Sequence, residues 1–353
     1  MKIKHLMITG CLLTAFTLQS CIKEKDLYQE PPTTYSELNL KLDGDYFSTE
    51  LPMARATKPT TIDDNKTIVG IAISMTPKDG TSPSSKPYAY GIFELEKAKN
   101  PDNLKIRVID GYTYRISCSM IANAKDSILA EGNSFAAPFD LERNGTIKGE
   151  CLNKFLTAEQ VDGVKFLHNL DNPKITTQNG SQNGCTRPFI ERYHGLLDKL
   201  EVTDGMQNPI TLYRRFFGVK FKQTGLKSGR IRINIEGAPS IYLNSSEDIH
   251  KTVESDLKMV SMRNLTANIP DANKNQYLTE NVKVEAFWEE TPGVEGTQIV
   301  NSNITFKRNY IHSIALTNID LIGTPANIGI EVETGEMGED PEQDIPWQES
   351  TIN

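Results

Sequence analysis

Surplus positive charge is the first thing this sequence lacks. Its 38 Lys and Arg residues face 46 Asp and Glu, a formal net charge of −8, so no basic stripe is available to neutralise phosphates and a nucleic-acid partner is set aside. Histidine and cysteine are scarce, at five each. His168, His194, His250 and His312 are scattered and form no HExxH, HxH or Cys-His cluster with metal-ligand spacing, so no metal is expected. No GxSxG elbow, P-loop or dinucleotide fingerprint occurs, and without them neither a cofactor nor catalysis is expected. The adjacent pairs Asp63-Asp64 and Glu289-Glu290 would point to opposite faces of a strand and read as solvated. Asp43-Gly44-Asp45 lacks the alternating oxygen ligands of a calcium loop and reads as a turn. Long amphipathic helical patterns are nearly absent.

What is present begins with Met1 to Cys21. Lys2, Lys4 and His5 precede a short apolar core from Leu6 to Leu18, and Leu18-Gln19-Ser20-Cys21 closes it. A positive start, an apolar stretch of roughly 7–15 residues and a small residue before the cut make a secretory signal. With cysteine in the next position it resembles a bacterial lipoprotein signal, in which Cys21 is lipidated and becomes the mature N-terminus. Several acyl chains bind a membrane durably, so the chain is expected to be exported and tethered. The mixed-charge run Ile22-Lys23-Glu24-Lys25-Asp26 is similar to tags that send some Gram-negative lipoproteins to the outer face of the outer membrane; a solvated linker is the other reading.

Of the remaining cysteines, Cys118 lies on the apolar face of a strand pattern and is expected to be a buried thiol. Cys151 and Cys185 stand in polar sequence, where an exported protein can form a disulfide between them. Period-two alternation dominates elsewhere. Leu38, Leu40 and Leu42 give one strand face between two breaker-rich segments, the second running from Pro52 to Pro59. Further strands are expected at Thr67 to Met75, Tyr88 to Ile92, Leu104 to Val108 and Tyr112 to Met120. From Gly132 to Asn208 the pattern weakens, with a helix predicted after Thr157 and Gln160 as a capping box, and tight turns at Asn179-Gly180 and Asn183-Gly184. Alternation returns in Phe217 to Phe221 and Ile231 to Ile235, which read as a hairpin, then in Val282 to Trp288, Ile304 to Phe306, Tyr310 to Leu316 and Ile328 to Val332. The chain is therefore expected to be all-β and built of sandwiches. The divisions are a signal over 1–20, a tether with an N-terminal strand over 21–55, and sandwiches over 56–207 and 208–353.

Three stretches carry a family resemblance: Tyr114-Arg115-Ile116-Ser117 leading to Ala122-Asn123-Ala124, Leu212-Tyr213-Arg214-Arg215-Phe216-Phe217, and Phe306-Lys307-Arg308-Asn309-Tyr310-Ile311. They resemble the FimA-type fimbrillins of type V pili. Membership would imply two transthyretin-like β-sandwich domains, lipoprotein export, and assembly into a fimbria with other fimbrial subunits by strand exchange. It would also imply cleavage after an arginine, matched here by Arg55 before Ala56, to free the strand carrying Leu38, Leu40 and Leu42. A linker arginine that nothing cuts is the plainer reading of Arg55. Withdrawing a strand bares backbone groups beside an apolar trough, and a partner strand restores both ladder and burial. The donor segment would be Ile328, Ile330 and Val332, or the tail around Trp347, where Pro346 removes a ladder donor. Host or bacterial surface ligands would be met by loops. A surface glycan-binding lipoprotein is the alternative, and it would need aromatic platforms on loops. Asp126-Ser127-Ile128 matches a short bacterial O-glycosylation sequon, although an ordinary loop accounts for it as well.

Overall fold

Period-two sequence becomes strand almost wherever it occurs. The computed structural model describes residues 33–45, 62–80, 84–125, 128–131, 134–136, 139, 151–157, 170–171, 185–268, 278–322 and 328–336. Cys21, Arg55, Ala56, Trp347, the helix expected beyond Thr157, the Asn-Gly turns and Asp126-Ser127 lie outside those residues.

The strands in chain order begin with β1 (Tyr35–Gly44), β2 (Ile68–Pro77), β3 (Lys86–Glu94), β4 (Lys105–Ile109), β5 (Tyr112–Ile121), β6 (Ile128–Glu131), β7 (Ser134–Ala136) and β8 (Phe155–Thr157). They continue with β9 (Arg192–Glu201), β10 (Met206–Arg214), β11 (Phe216–Gln223), β12 (Arg230–Ile235), β13 (Ile241–Asn244), β14 (Val253–Glu254) and β15 (Lys258–Ser261). The last are β16 (Thr279–Glu289), β17 (Thr297–Lys307), β18 (Tyr310–Thr317) and β19 (Gly329–Glu336). Together they make an all-β sandwich fold.

The first sheet runs β4-β1-β10-β9-β5-β2-β3-β8. Strands β10 and β9 meet only at Tyr213–His194 and Arg214–Tyr193, so the sheet turns a corner there and closes over itself. Leu38, Leu40, Leu42, Ile106, Val108, Ile210 and Leu212 from one wall thus share a core with Val69, Ile71, Ile73, Ile116 and Cys118 from the other. Strand β2 is buried on both faces, because Ile68 turns instead into a separate cluster with Tyr90, Ile92, Phe139 and Leu170. Such two-sided burial is why Thr67 to Met75 lacks clean alternation.

The second sandwich pairs a sheet of β14-β11-β18-β19, with β15 also on β11, against β13-β12-β16-β17. Phe217, Val219 and Phe221 meet Ile231, Ile233 and Ile235 across its core. Here the structure corrects one expectation: β11 and β12 do not form a hairpin. The turn between them carries the chain from one sheet to the other, and a strand pair that faces across a core alternates just as a hairpin pair does.

The first core takes Ile210, Leu212 and Phe216, and Phe217 is the first residue of β11 to enter the second. Ahead of β9, residues 185–190 brace the second sandwich. Cys185 Sγ and the Arg187 N–H both donate to Gly237 O, at 2.9 and 2.7 Å, and the buried Arg187 guanidinium pairs with Glu280 on β16. The disulfide that the sequence permits between Cys151 and Cys185 is not formed, as both are free thiols. Each packs on the same small apolar cluster, where Cys151 Sγ donates to Asn153 Oδ1 at 3.7 Å. The described residues from Tyr35 onward form one compact unit.

Candidate functional site

β1 is a strand from one end of the sequence seated deep in a sheet made from elsewhere. Leu38, Leu40 and Leu42 are 0–2% exposed, and burying three such side chains contributes about 5–9 kcal/mol. The alternate residues Glu37, Lys41 and Asp43 face solvent, as period two requires. β1 is hydrogen-bonded on both edges. It runs antiparallel to β4, with Leu38 opposite Ile106, and parallel to β10, with Leu38, Leu40 and Leu42 opposite Met206, Asn208 and Ile210. Side chains fasten it as well. The Ser36 hydroxyl donates to Asp110 at 2.6 Å, and the Glu37 N–H donates to Asp204 Oδ1 at 2.8 Å.

The strand ends at Gly44, with φ at +118°. A Cβ there would lie 2.3 Å from Leu212 O, so only glycine fits this left-handed step. The step aims Asp45 at the boundary between the sandwiches, so the Asp43-Gly44-Asp45 turn has a task that its sequence alone does not reveal.

At that boundary the Asp45 N–H donates to Leu212 O at 2.9 Å. Its carboxylate oxygen Oδ2 accepts the Arg214 N–H at 2.9 Å and Arg308 Nη1 at 3.1 Å. Arg308 also reaches Arg214 O at 3.4 Å, while Arg214 Nη1 donates to Asn309 Oδ1 at 2.7 Å. Asn309, with φ at +65°, donates its N–H to Phe216 O. Asp45 thus ties β1 both to the β10–β11 passage and to the β17–β18 turn of the second sandwich. Arg215 is 4% exposed, and no described group accepts from its Nε or Nη1. Burial and the neighbouring Arg308 push its pKa down to about 10, against the pull of Asp45. Arg192 is fully buried and is pushed down to about 10 by burial. Glu191 is buried beside them.

His194, on β9, is fully buried with Nε2 3.3 Å from Asp171 Oδ1. Burial holds its pKa down at about 4, with Asp171 pulling the other way, so the ring is neutral at neutral pH. His312, in the second sandwich, accepts the Lys307 N–H at 3.2 Å between Phe217 and Phe306 and is likewise pushed to about 4 by burial. Both are packing histidines. Glu289 corrects another expectation: it is 3% exposed and accepts from Arg230 Nε and Arg232 Nε, each at 2.7 Å. The arginines on alternate positions of β12 converge on it, which holds its carboxyl below the usual range despite burial.

Among the described residues no group of three or more His, Cys, Asp or Glu could hold a metal, and no helix is long and apolar enough to cross a membrane. One shallow depression of about 470 Å³ lies between Lys222, Thr252, Glu254 and Asn318. The exposed rings of Tyr35 and Tyr242 are each covered on a face, by Arg107 at 4.8 Å and Arg230 at 4.3 Å. Ile330 and Val332 on β19 and Ile328 just before it are half-buried against the second core, and among the described residues β19 pairs with β18 alone. They are not brought together with Leu38, Leu40 and Leu42. Trp288 packs on the second core and donates its Nε1–H to Ser228 O.

No family model matches the chain, and no curated protein matches it significantly. Solved structures do. A candidate adhesin from Bacteroides ovatus is 12% identical with a TM-score of 0.38, over 92% of this chain and 98% of that one. The fimbrial anchor protein Mfa2 from Porphyromonas gingivalis is 7% identical with a TM-score of 0.36, over 86% and 98%. A candidate polysaccharide-binding protein from Bacteroides thetaiotaomicron is 12% identical with a TM-score of 0.37, over 85% and 98%. TM-scores of this size carry no argument of their own.

Proposed function

We propose that this chain is an exported subunit of a cell-surface fimbria that joins its neighbours by exchange of β1. One observation supports the reading above all. A strand with fully buried leucines, bonded on both edges, belongs to the first sandwich, yet in sequence residues 46–61 alone separate it from all that follows. A single cut there, for which Arg55 is the candidate, would leave an apolar groove between β4 and β10 with unpaired N–H and C=O groups on both walls. Such an edge binds another strand or aggregates. Tethering through a lipidated Cys21 would hold the precursor at the outer membrane until the cut, and a subunit left uncut would serve as an anchor. The work is mechanical and needs no catalytic group.

The test is the N-terminus and the size of the protein taken from cells. Strand exchange predicts a population beginning at Ala56 and SDS-resistant ladders in surface extracts. Lipidated Cys21 on every molecule, with monomer alone in the gel, would remove the polymer reading and leave a tethered lipoprotein.

A further inference from the structure

Asp45 is the carboxylate that β1 brings to the junction, and it leaves whenever β1 leaves. Behind it stay Arg214, Arg215 and Arg308, with Glu191 the buried acid remaining near them. Arg215 already holds two N–H groups that no described residue accepts. Removing Asp45 strips the acceptor from the Arg214 N–H and from one bond of Arg308. Buried donors without acceptors are costly, and a guanidinium without a counter-charge more so.

We infer that these junction arginines form a carboxylate socket that selects which strand fills the β1 groove: the incoming strand must place an acidic residue where Asp45 now lies. The inference rests on the strand-exchange reading and adds a chemical requirement to it. Apolar alternation alone is a weak address, because β5, β11, β12 and β16 satisfy it as well. The socket adds a second, polar condition at a defined offset past the last inward leucine. Offsets are readable because strand side chains have period two and a slip of one residue turns the apolar face out.

The chain's own β19 does not meet the condition. With Ile328, Ile330 and Val332 set on the positions of Leu38, Leu40 and Leu42, Gly335 falls at the socket. With β19 excluded, the occupant the socket requires is a strand delivered by another subunit, carrying three alternating apolar residues and then an Asp or Glu. Since Oδ2 receives a backbone N–H as well as a guanidinium, a neutral amide in its place keeps the shape and loses the charge.

The experiment uses the full mature chain with a sequence-specific protease site inserted within 46–61, so that native processing is not at issue. After cutting, a labelled, C-terminally amidated peptide of residues 33–45 and its D45N version, amidated likewise so that no terminal carboxylate replaces the lost charge, compete for the groove, followed by fluorescence anisotropy. Charge-assisted bonds of this kind lead us to expect at least about tenfold weaker binding of the D45N peptide. In the R308Q protein the gap should narrow to about threefold or less. Equal binding of the two peptides to the unaltered protein would overturn the socket while leaving strand exchange intact. So would a gap that R308Q does not change. Binding of neither peptide would overturn strand exchange itself, and the socket with it.

Discussion

In the first sandwich the opening strand, β1, lies between antiparallel β4 and parallel β10. In the second the opening strand, β11, lies between antiparallel β14 and β15 and parallel β18. Both strands are paired on both edges and both bury every inward residue, Leu38, Leu40 and Leu42 in one case and Phe217, Val219 and Phe221 in the other. The non-covalent seats are alike; the covalent ties are not. β11 follows β10 after Arg215 alone and leads on into β12, so no single cut detaches it. β1 is at the start of the fold, and one cut within 46–61 separates it from the rest. What sets β1 apart is thus its connectivity, since its packing is no looser than that of β11.

The largest test of this equivalence is Leu40→Ala. If β1 is as integral as β11, the truncation should cost about 2–5 kcal/mol in urea unfolding. A loss below about 1 kcal/mol would mean that the first core closes without β1. Acid sharpens the comparison from the other side. Burial holds His312 at about 4 against an ordinary 6.5. Above pH 6.5 the ring is neutral in both folded and unfolded chains. As pH falls from 6.5 towards 4 only the unfolded chain takes the proton, so stability drains away across that window and levels off below it, by about 3 kcal/mol. His312→Asn should flatten that part of the profile, read from urea midpoints at a series of pH values. Asp45→Asn should cost about 1–3 kcal/mol and split the calorimetric transition in two, since it loosens the link between β1 and the second sandwich while sparing the leucines. Least of all, Ile330→Ala on half-buried β19 should cost about 1 kcal/mol; a loss as large as that of Leu40→Ala would make β19 as integral as β1.

Much of the fold was legible because most strands bury one face and wet the other. Leu38, Leu40 and Leu42 of β1 read in sequence as they stand, inside, with Glu37, Lys41 and Asp43 wet; in β5 the apolar set Tyr114, Ile116, Cys118 and Met120 is also inside, but Ser117 and Ser119 on the other face are buried too. β9 was illegible for the opposite reason. Its Arg192, Tyr193, His194 and Gly195 are all buried in succession, and the polar members are buried at the junction and beside Asp171, neither of which local periodicity encodes. The hairpin error at β11 and β12 has the same root, since alternation reports which face is buried and not which sheet holds it. The Asp45 site could not be read at all. Its partner Arg308 is 263 residues away, and Arg214 contributes a backbone N–H, which any residue but proline supplies. Its one local trace was the glycine before it, noted as a turn.

A consequence for load follows from Arg215. With one residue between β10 and β11, this passage holds no slack chain to stretch or swivel. Tension arriving at one sandwich passes directly into the next along a continuous ribbon, braced at the side by Arg187 on Glu280. Any give between the two sandwiches would therefore have to come from the sandwiches themselves.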